Sequence, residues 1–528
     1  RARNEQTIAS VAGAGYSAAR RGVGAGFGQI DAARAVTASF GTGVGSTLAL
    51  GDDNSIGAAD ITEVGHPPQV LSLLVVDAAN FSTDVAAGSA GAQGTAAGGA
   101  ADATVDADAG GGVGGQSSGF GLAADAALIR QTHTILATVE TGGAIEIDNT
   151  GGSGISITAV DARDTRIATG AAVAGSGSFG IGAALSWVES AVIVQALNRG
   201  GARRPMLPGE AMNLQVVASD ISRTRALAAG RTGPEVRTDV VGSMVRIIRE
   251  TDVIARSEDS DIQTRVALIA AAQSGSLWAI AGAVARTLAD ATAGGTPAPG
   301  KGTSVGTALS WITTDDVTEA AIDGGRLAAS GANPVATVRA ANNADFLTTA
   351  LSDGAAEENA IMGSAVIAAT TRTTLATVRG LAPSAHSGTL TVNADSNGRL
   401  RARVGAVGDG EKAGFGGSAL ELADTRTTRA RVQDSSLVAQ GLFGGADLTV
   451  SATETGAVDA FQRSGAGLAD DTVQGKDSFG LAYGRVATDW ATRAQVTGST
   501  LDLQRLTVVA REEAAVLNRN GQVTLANN

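Results

Sequence analysis

One short pattern of apolar and polar positions recurs along the chain: apolar, any, apolar, any, Ala. It runs Leu74–Ala78, Ile155–Ala159, Leu214–Ala218, Leu277–Ala281, Ala336–Ala340, Leu390–Ala394, Leu448–Ala452 and Leu506–Ala510. Alternation with period two marks a β-strand that buries one face. From Ile157 onward the centres of the pattern lie 54 to 63 residues apart, and Val76 lies 81 residues before Ile157. The surplus there, roughly twenty residues, coincides with the Gly/Ala/Asp-rich stretch 87–119, which reads as an inserted loop.

A second landmark keeps the same rhythm. Polar runs ending in an apolar residue precede the strands, as in Thr134–Val139, Asp316–Ile322, Thr371–Val378, Thr425–Val432 and Thr488–Val496. Glycine-flanked apolar starts stand upstream of them, at Ser178-Phe179-Gly180, Gly414-Phe415-Gly416 and Ser478-Phe479-Gly480. Ala-Leu-Ser-Trp occurs twice, at Ala184–Trp187 and Ala308–Trp311. Two independent landmarks with one period define a repeat of about 58 residues.

Within a repeat the strand-like pieces are short and separated by Gly, Asn, Asp or Ser. Three turns of a solenoid at about nineteen residues each fit that length. The expectation is therefore an all-β chain: a right-handed parallel β-helix of about eight repeats with roughly three coils each, continuous over 1–528. At about 4.8 Å per coil it would form a rod on the order of 110 Å long. An Ala-rich helical repeat, suggested by Arg223–Ala229 or Ala281–Ala291, fits less well. Gly and β-branched residues are frequent, and no apolar spacing of three and four is sustained.

Glycine-flanked starts, Ala-Leu-Ser-Trp, Thr-rich runs before Leu-x-Val-x-Ala strands and the absence of cysteine resemble the repeat regions of giant bacterial surface proteins, the leukotoxin-type and haemagglutinin-like filamentous adhesins. The resemblance spans about Gly22 to Ala510 and is one of texture. It implies a parallel β-helix on the cell exterior, acting as stalk, adhesin or matrix fibre. No secretion domain or membrane barrel is recognised, so the resemblance carries no export route.

Composition narrows the function classes. Apolar residues make up 44% of the 528 but aromatics only 3%, so the core must be built from Ala, Val, Leu and Ile. No apolar run is long enough for a membrane-spanning helix. With 39 basic against 52 acidic residues the net charge is −13, and no basic stripe supports nucleic-acid binding. Zero cysteines removes disulfides, thiolate catalysis and Cys-ligated metals. The first residue is Arg1, which reads as a processed protein or a segment of a longer one.

Candidate chemistry is sparse, and the sequence assigns no catalytic, cofactor or metal residue. His66, His133 and His386 fall in different repeats and read as surface or turn residues. Gly175–Gly180 matches a dinucleotide fingerprint by glycine content alone and reads as a solenoid corner. The position four after each strand centre is Asn80, Asp161, Asp220, Ala283, Asn342, Ser396, Glu454 and Glu512. With three coils per repeat these would stand about 14 Å apart. That is too far for a glycosidase pair, which needs roughly 5–9.5 Å, so the row reads as a turn position. Asp161 and Asp164 are close in sequence but lack aromatic neighbours for sugar stacking. Asp102, Asp106 and Asp108 form the one candidate calcium loop, without the nonapeptide of calcium-binding β-rolls.

The leading expectation is an extracellular structural or adhesive rod without catalysis, a part of a cell-surface or biofilm-matrix filament, with cell-surface or matrix polysaccharide as a candidate partner. The alternative is a secreted β-helix polysaccharide lyase or hydrolase. Strand-like patterns at both ends, Thr7–Val11 and Gln522–Leu525, suggest that the repeats continue into more chain or into a stacked copy.

Overall fold

The computed structural model describes residues 1–16, 21–43, 47–50, 72–92, 120–147, 154–173, 179–205, 212–232, 238–287, 302–329, 334–356, 358–386, 388–410, 412–439, 446–467, 477–513 and 515–524. Every regular element among them is a β-strand, and the strands pair in parallel. A 12-stranded front sheet begins with Ala2–Tyr16 and ends with Arg505–Glu512 and Ala515–Thr524. An 8-stranded back sheet runs from Arg21–Thr42 to Asp477–Thr497. Short strands such as Ala202–Pro205 and Asp261–Thr264 form a narrow side strip. The chain visits front sheet, back sheet and side strip in turn, then returns to the front.

The register corrects the expected coil length. Ile157 pairs with Val216, Val216 with Ile269 and Ile269 with Val338, so hydrogen-bonded neighbours are one whole sequence repeat apart. A repeat of about 58 residues makes one circuit, not three. The nine-strand path through the front sheet therefore stacks to about 38 Å instead of 110 Å. Each long strand, at 21 residues in Thr238–Glu258, is about 70 Å long. The polar residues inside these strands point inward and do not break them. Thr238–Glu258 alternates buried and half-exposed through its whole length, straight across Arg249 and Thr251.

Two further readings are revised. The fourth copy of the strand pattern is not Leu277–Ala281: the residue in register with Val216 is Ile269. Ala87–Ala92, placed in the inserted loop, continue the front-sheet strand and pair with Ala168–Val173. The remainder, 93–119, lies outside the described residues.

Among the described residues, turns with positive φ gather where the back sheet meets the side strip. There Gly200, Gly201, Gly324, Gly325, Gly380 and Gly498 take φ between 59° and 72°, and Asp259 and Asp434 take 47° and 48° at equivalent places. Positive φ carries little cost for Gly and is tolerated by Asp, so these positions set the corner chemistry. The landmarks of the repeat fall into place around it. Phe179 and Phe415 open back-sheet strands, the Thr-rich runs are their second halves, and Leu-x-Val-x-Ala opens the front-sheet strand.

The inward faces of the two large sheets form two apolar clusters. Ile157, Val216, Val253 and Val378 belong to one, and Ile247, Leu277, Val366 and Val404 to the other. Full burial of each such side chain contributes roughly 1.5–3 kcal/mol. Interleaved Ala keeps the slab thin, which accounts for an apolar-rich chain so poor in aromatics. Between the two clusters lies a polar belt.

Candidate functional site

The belt is built from rows of side chains that the register stacks rung upon rung. On the front sheet one row reads Asn4, Asn80, Asp161, Asp220, Gln273, Asn342, Ser396, Glu454 and Glu512. This is the row found in the sequence, with Gln273 taking the place of Ala283. From Asn80 to Asn342 it lies at mid-strand and points inward, so the turn reading is corrected there; Ser396, Glu454 and Glu512 each end a strand. Asp161, Asp220 and Glu454 are buried in the interior. Adjacent members are one strand spacing apart, about 4.8 Å, and not 14 Å. Distance therefore does not keep these carboxylates from pairing; what separates them from a polymeric substrate is burial.

The facing rows come from the back sheet. One contains Arg34, His133, Val192, Thr251, Asp316, Arg372, Arg426 and Trp490. The row beside it contains Gln131, Ser190, Arg249, Thr314, Thr370 and Asp424. Of these only His133 was considered for its chemistry in the sequence, and Asp316 appeared there only as the start of a polar run. A signal was present, since Thr-Arg-Thr-Thr occurs at Thr371–Thr374 and again at Thr425–Thr428.

His133 was expected at the surface but is fully buried. Its Nε2 stands 2.8 Å from Arg34 Nη1, and Arg can only donate. The ring is therefore an acceptor at Nε2 and carries its proton on Nδ1, 3.5 Å from Asp161 Oδ1. Burial holds its pKa below the ordinary histidine value, and the hydrogen bond to Asp161 only partly opposes this. His386 lies in the short strand Ser384–His386, and His66 lies outside the described residues.

Ion pairs thread the belt. Arg34 grips Asp84 with two bonds of 2.8 and 2.6 Å. Arg163 Nε is 2.7 Å from Asp161 Oδ2, and its Nη2 is 3.6 Å from Asp220 Oδ1. Burial tends to raise Asp161, but Arg163, His133 and Asn80 outweigh it and leave its pKa below the ordinary carboxylate value. Asp220, more weakly held, is pushed by burial up to about 6. Arg249 clasps both oxygens of Asp316 at 3.1 and 2.9 Å. Phe346 lies between two guanidinium groups, Arg249 at 5.5 Å and Arg372 at 4.3 Å from the ring centre. Arg426 binds Asp424 at 2.7 Å and Glu454 at 2.8 Å.

The solvent-facing surfaces carry less chemistry. The two Ala-Leu-Ser-Trp motifs land one rung on either side of Arg246, whose guanidinium lies 4.5 Å from the Trp187 ring and 4.8 Å from the Trp311 ring. A shallow groove of about 490 Å³ on the front sheet includes Glu5, Thr7, Phe81, Asp164 and Arg223. Asp164 is held there by Arg166 at 2.7 Å. Among the described residues no group of three or more His, Asp or Glu side chains is arranged to hold a metal ion. No helix among them is long and apolar enough to cross a membrane. The calcium candidate Asp102–Asp108 and the glycine-rich 174–178 lie outside the described residues.

Fold and site together define an all-β protein of long parallel sheets with a belt of ion pairs buried between them. Compared with known protein families, with characterised proteins and with solved structures, the chain matches none.

Proposed function

We propose that the chain is a right-handed parallel β-solenoid of about eight repeats, serving as an extracellular structural or adhesive segment without catalysis. It extends along its stacking axis, coil upon coil. The observation that carries this reading is the register: the same inward row continues rung by rung through the described strands. Leu506, Val508 and Val516 occupy the inward positions of Leu448, Val450 and Val458, yet they are 48%, 44% and 45% exposed. A further coil, of this polypeptide or of a second copy, would bury them and pair the open edge. The right-handed sense rests on the general preference of parallel crossover connections.

A secreted polysaccharide lyase or hydrolase is the second reading, and the groove bringing Glu5, Asp164 and Arg223 together speaks for it. A uronate-degradation screen with purified protein, set against a whole-cell binding assay, separates the two. Binding without turnover is expected. Turnover abolished by Asp164→Asn would overturn the structural reading.

A further inference from the structure

Two successive circuits share a mould, and only one of them fills it. Arg372 is in register with Arg426, Thr374 with Thr428, and Ser396 with Glu454. Arg399 pairs with Ala457, which sets Gly398 opposite Gly456. In the later circuit the Glu454 carboxylate accepts from Arg426 Nη1 at 2.8 Å, Thr428 Oγ1 at 3.0 Å and the Gly456 N–H at 3.0 Å. In the earlier circuit the equivalents of all three donors are present, but the carboxylate is replaced by a serine too short to reach them.

The donors are left over. Arg372 is 1% exposed. Its Nε, the equivalent of which holds Asp424 in Arg426, has no hydrogen-bond partner, and neither do Thr374 Oγ1 and Ser396 Oγ. Nη2 is unpartnered in both arginines, and Arg426 Nη1 serves both the Gly398 carbonyl and Glu454. In Arg372 only Nη1 is engaged, on the Ala344 carbonyl at 3.0 Å. Arg426 has a second carboxylate, Asp424, two residues before it on the same strand; the residue before Arg372 in that register is Thr370. Nor is Asp316 free to help, since both its oxygens are held by Arg249. A guanidinium taken out of water without a bonded counter-charge is strongly unfavourable.

We propose that the interior binds one small monovalent anion, of chloride size, between Arg372, Thr374, Ser396 and the Gly398 N–H. The anion replaces the carboxylate that Glu454 supplies one circuit later. An anion suits the lining better than water, because the guanidinium and the backbone N–H can only donate, and a water molecule brings two protons of its own. The ion is enclosed as the sheets close and becomes part of the folded core.

Crystals grown in bromide provide the direct test. A single anomalous peak in hydrogen-bond contact with Arg372 and Thr374 is expected, and a water there with no anomalous signal overturns the proposal. In solution, raising chloride from about 1 to 100 mM at constant ionic strength with gluconate should lift Tm saturably, by on the order of 2 °C. Ser396→Glu places the carboxylate in the mould and should abolish that response. An equal response in the folded variant would place chloride elsewhere and overturn the assignment. Should the variant not fold, the bromide experiment on the unaltered chain still decides.

Discussion

Asp316 and Arg249 show what a single buried residue does in this fold. The pair is bidentate and withdrawn from solvent, so removing one partner strands the other charge in the core. Asp316→Asn is expected to destabilise by about 3–5 kcal/mol, whereas a joint Arg249→Met, Asp316→Leu change should recover most of that loss; denaturant midpoints measure both. Asp239 behaves differently. Burial raises its pKa to about 8, with the neighbouring Thr232 opposing. The folded state thus keeps a proton that the unfolded chain releases near the ordinary carboxylate value, and stability falls as pH rises from about 4 to about 8. Asp239→Asn removes that slope. The variant should match the parent chain near pH 4 and exceed it by a few kcal/mol at pH 8, read from unfolding midpoints across the range. Residues of this kind were half legible in the sequence. The row from Asn80 to Glu512 was visible as a periodic polar position, but turn and buried belt draw on the same residue types, Asp, Asn and Ser. The guanidinium side was missed because Arg372 and Arg426 sit in Thr-rich runs that look solvated.

At the scale of the strand, alternation was read well and its length badly. Period two runs without interruption through Asn213–Thr232, including Asp220, Ser222 and Thr224. Each of these inward polar residues looked like the end of a strand, and the repeat was cut into three pieces where the chain makes one circuit. The fourth copy slipped for a related reason. Leu277–Ala281 carries the same apolar alternation as Val266–Ala271 and lies in the same strand, so the pattern alone could not choose between them. Only the pairing of Val216 with Ile269 decides it. Cross-linking tests the register directly, and a chain without cysteine makes it clean. Thr158 and Val217 are opposed on the outward face of the front sheet. Thr158→Cys with Val217→Cys should oxidise efficiently, because paired strands lie about 4.8 Å apart. Moving the second cysteine to Ser219 should lower the yield. Three coils per repeat would instead hold Thr158 and Val217 about 14 Å apart, beyond the reach of a disulfide.

The whole molecule follows from circuit length and register. One circuit per repeat gives a slab about 70 Å along the strands and about 38 Å along the stacking axis, so scattering from monodisperse chain should show its long dimension along the strands. Any further coil would add to the short dimension, with the same backbone ladder and the same inward rows. The energetics are therefore those of a nearest-neighbour array, in which a coil with a neighbour on one side only is the weakest part. The coil of Arg505–Glu512 presents two kinds of position on one strand. Leu506 and Val508 point along the inward row that a further coil would cover, while Thr507 points outward, in register with Thr449. If the exposed row is the growth face, Val508→Lys should stop end-to-end stacking by setting a charge where the next apolar residue must pack. Thr507→Lys, one residue away on the outer surface, should leave it intact. Electron microscopy of the two variants, with sedimentation to follow mass, reads the contrast: filaments in the parent chain and in Thr507→Lys, single slabs in Val508→Lys. Filaments that persist in Val508→Lys would move the contact from the stacking edge to the broad faces of the sheets.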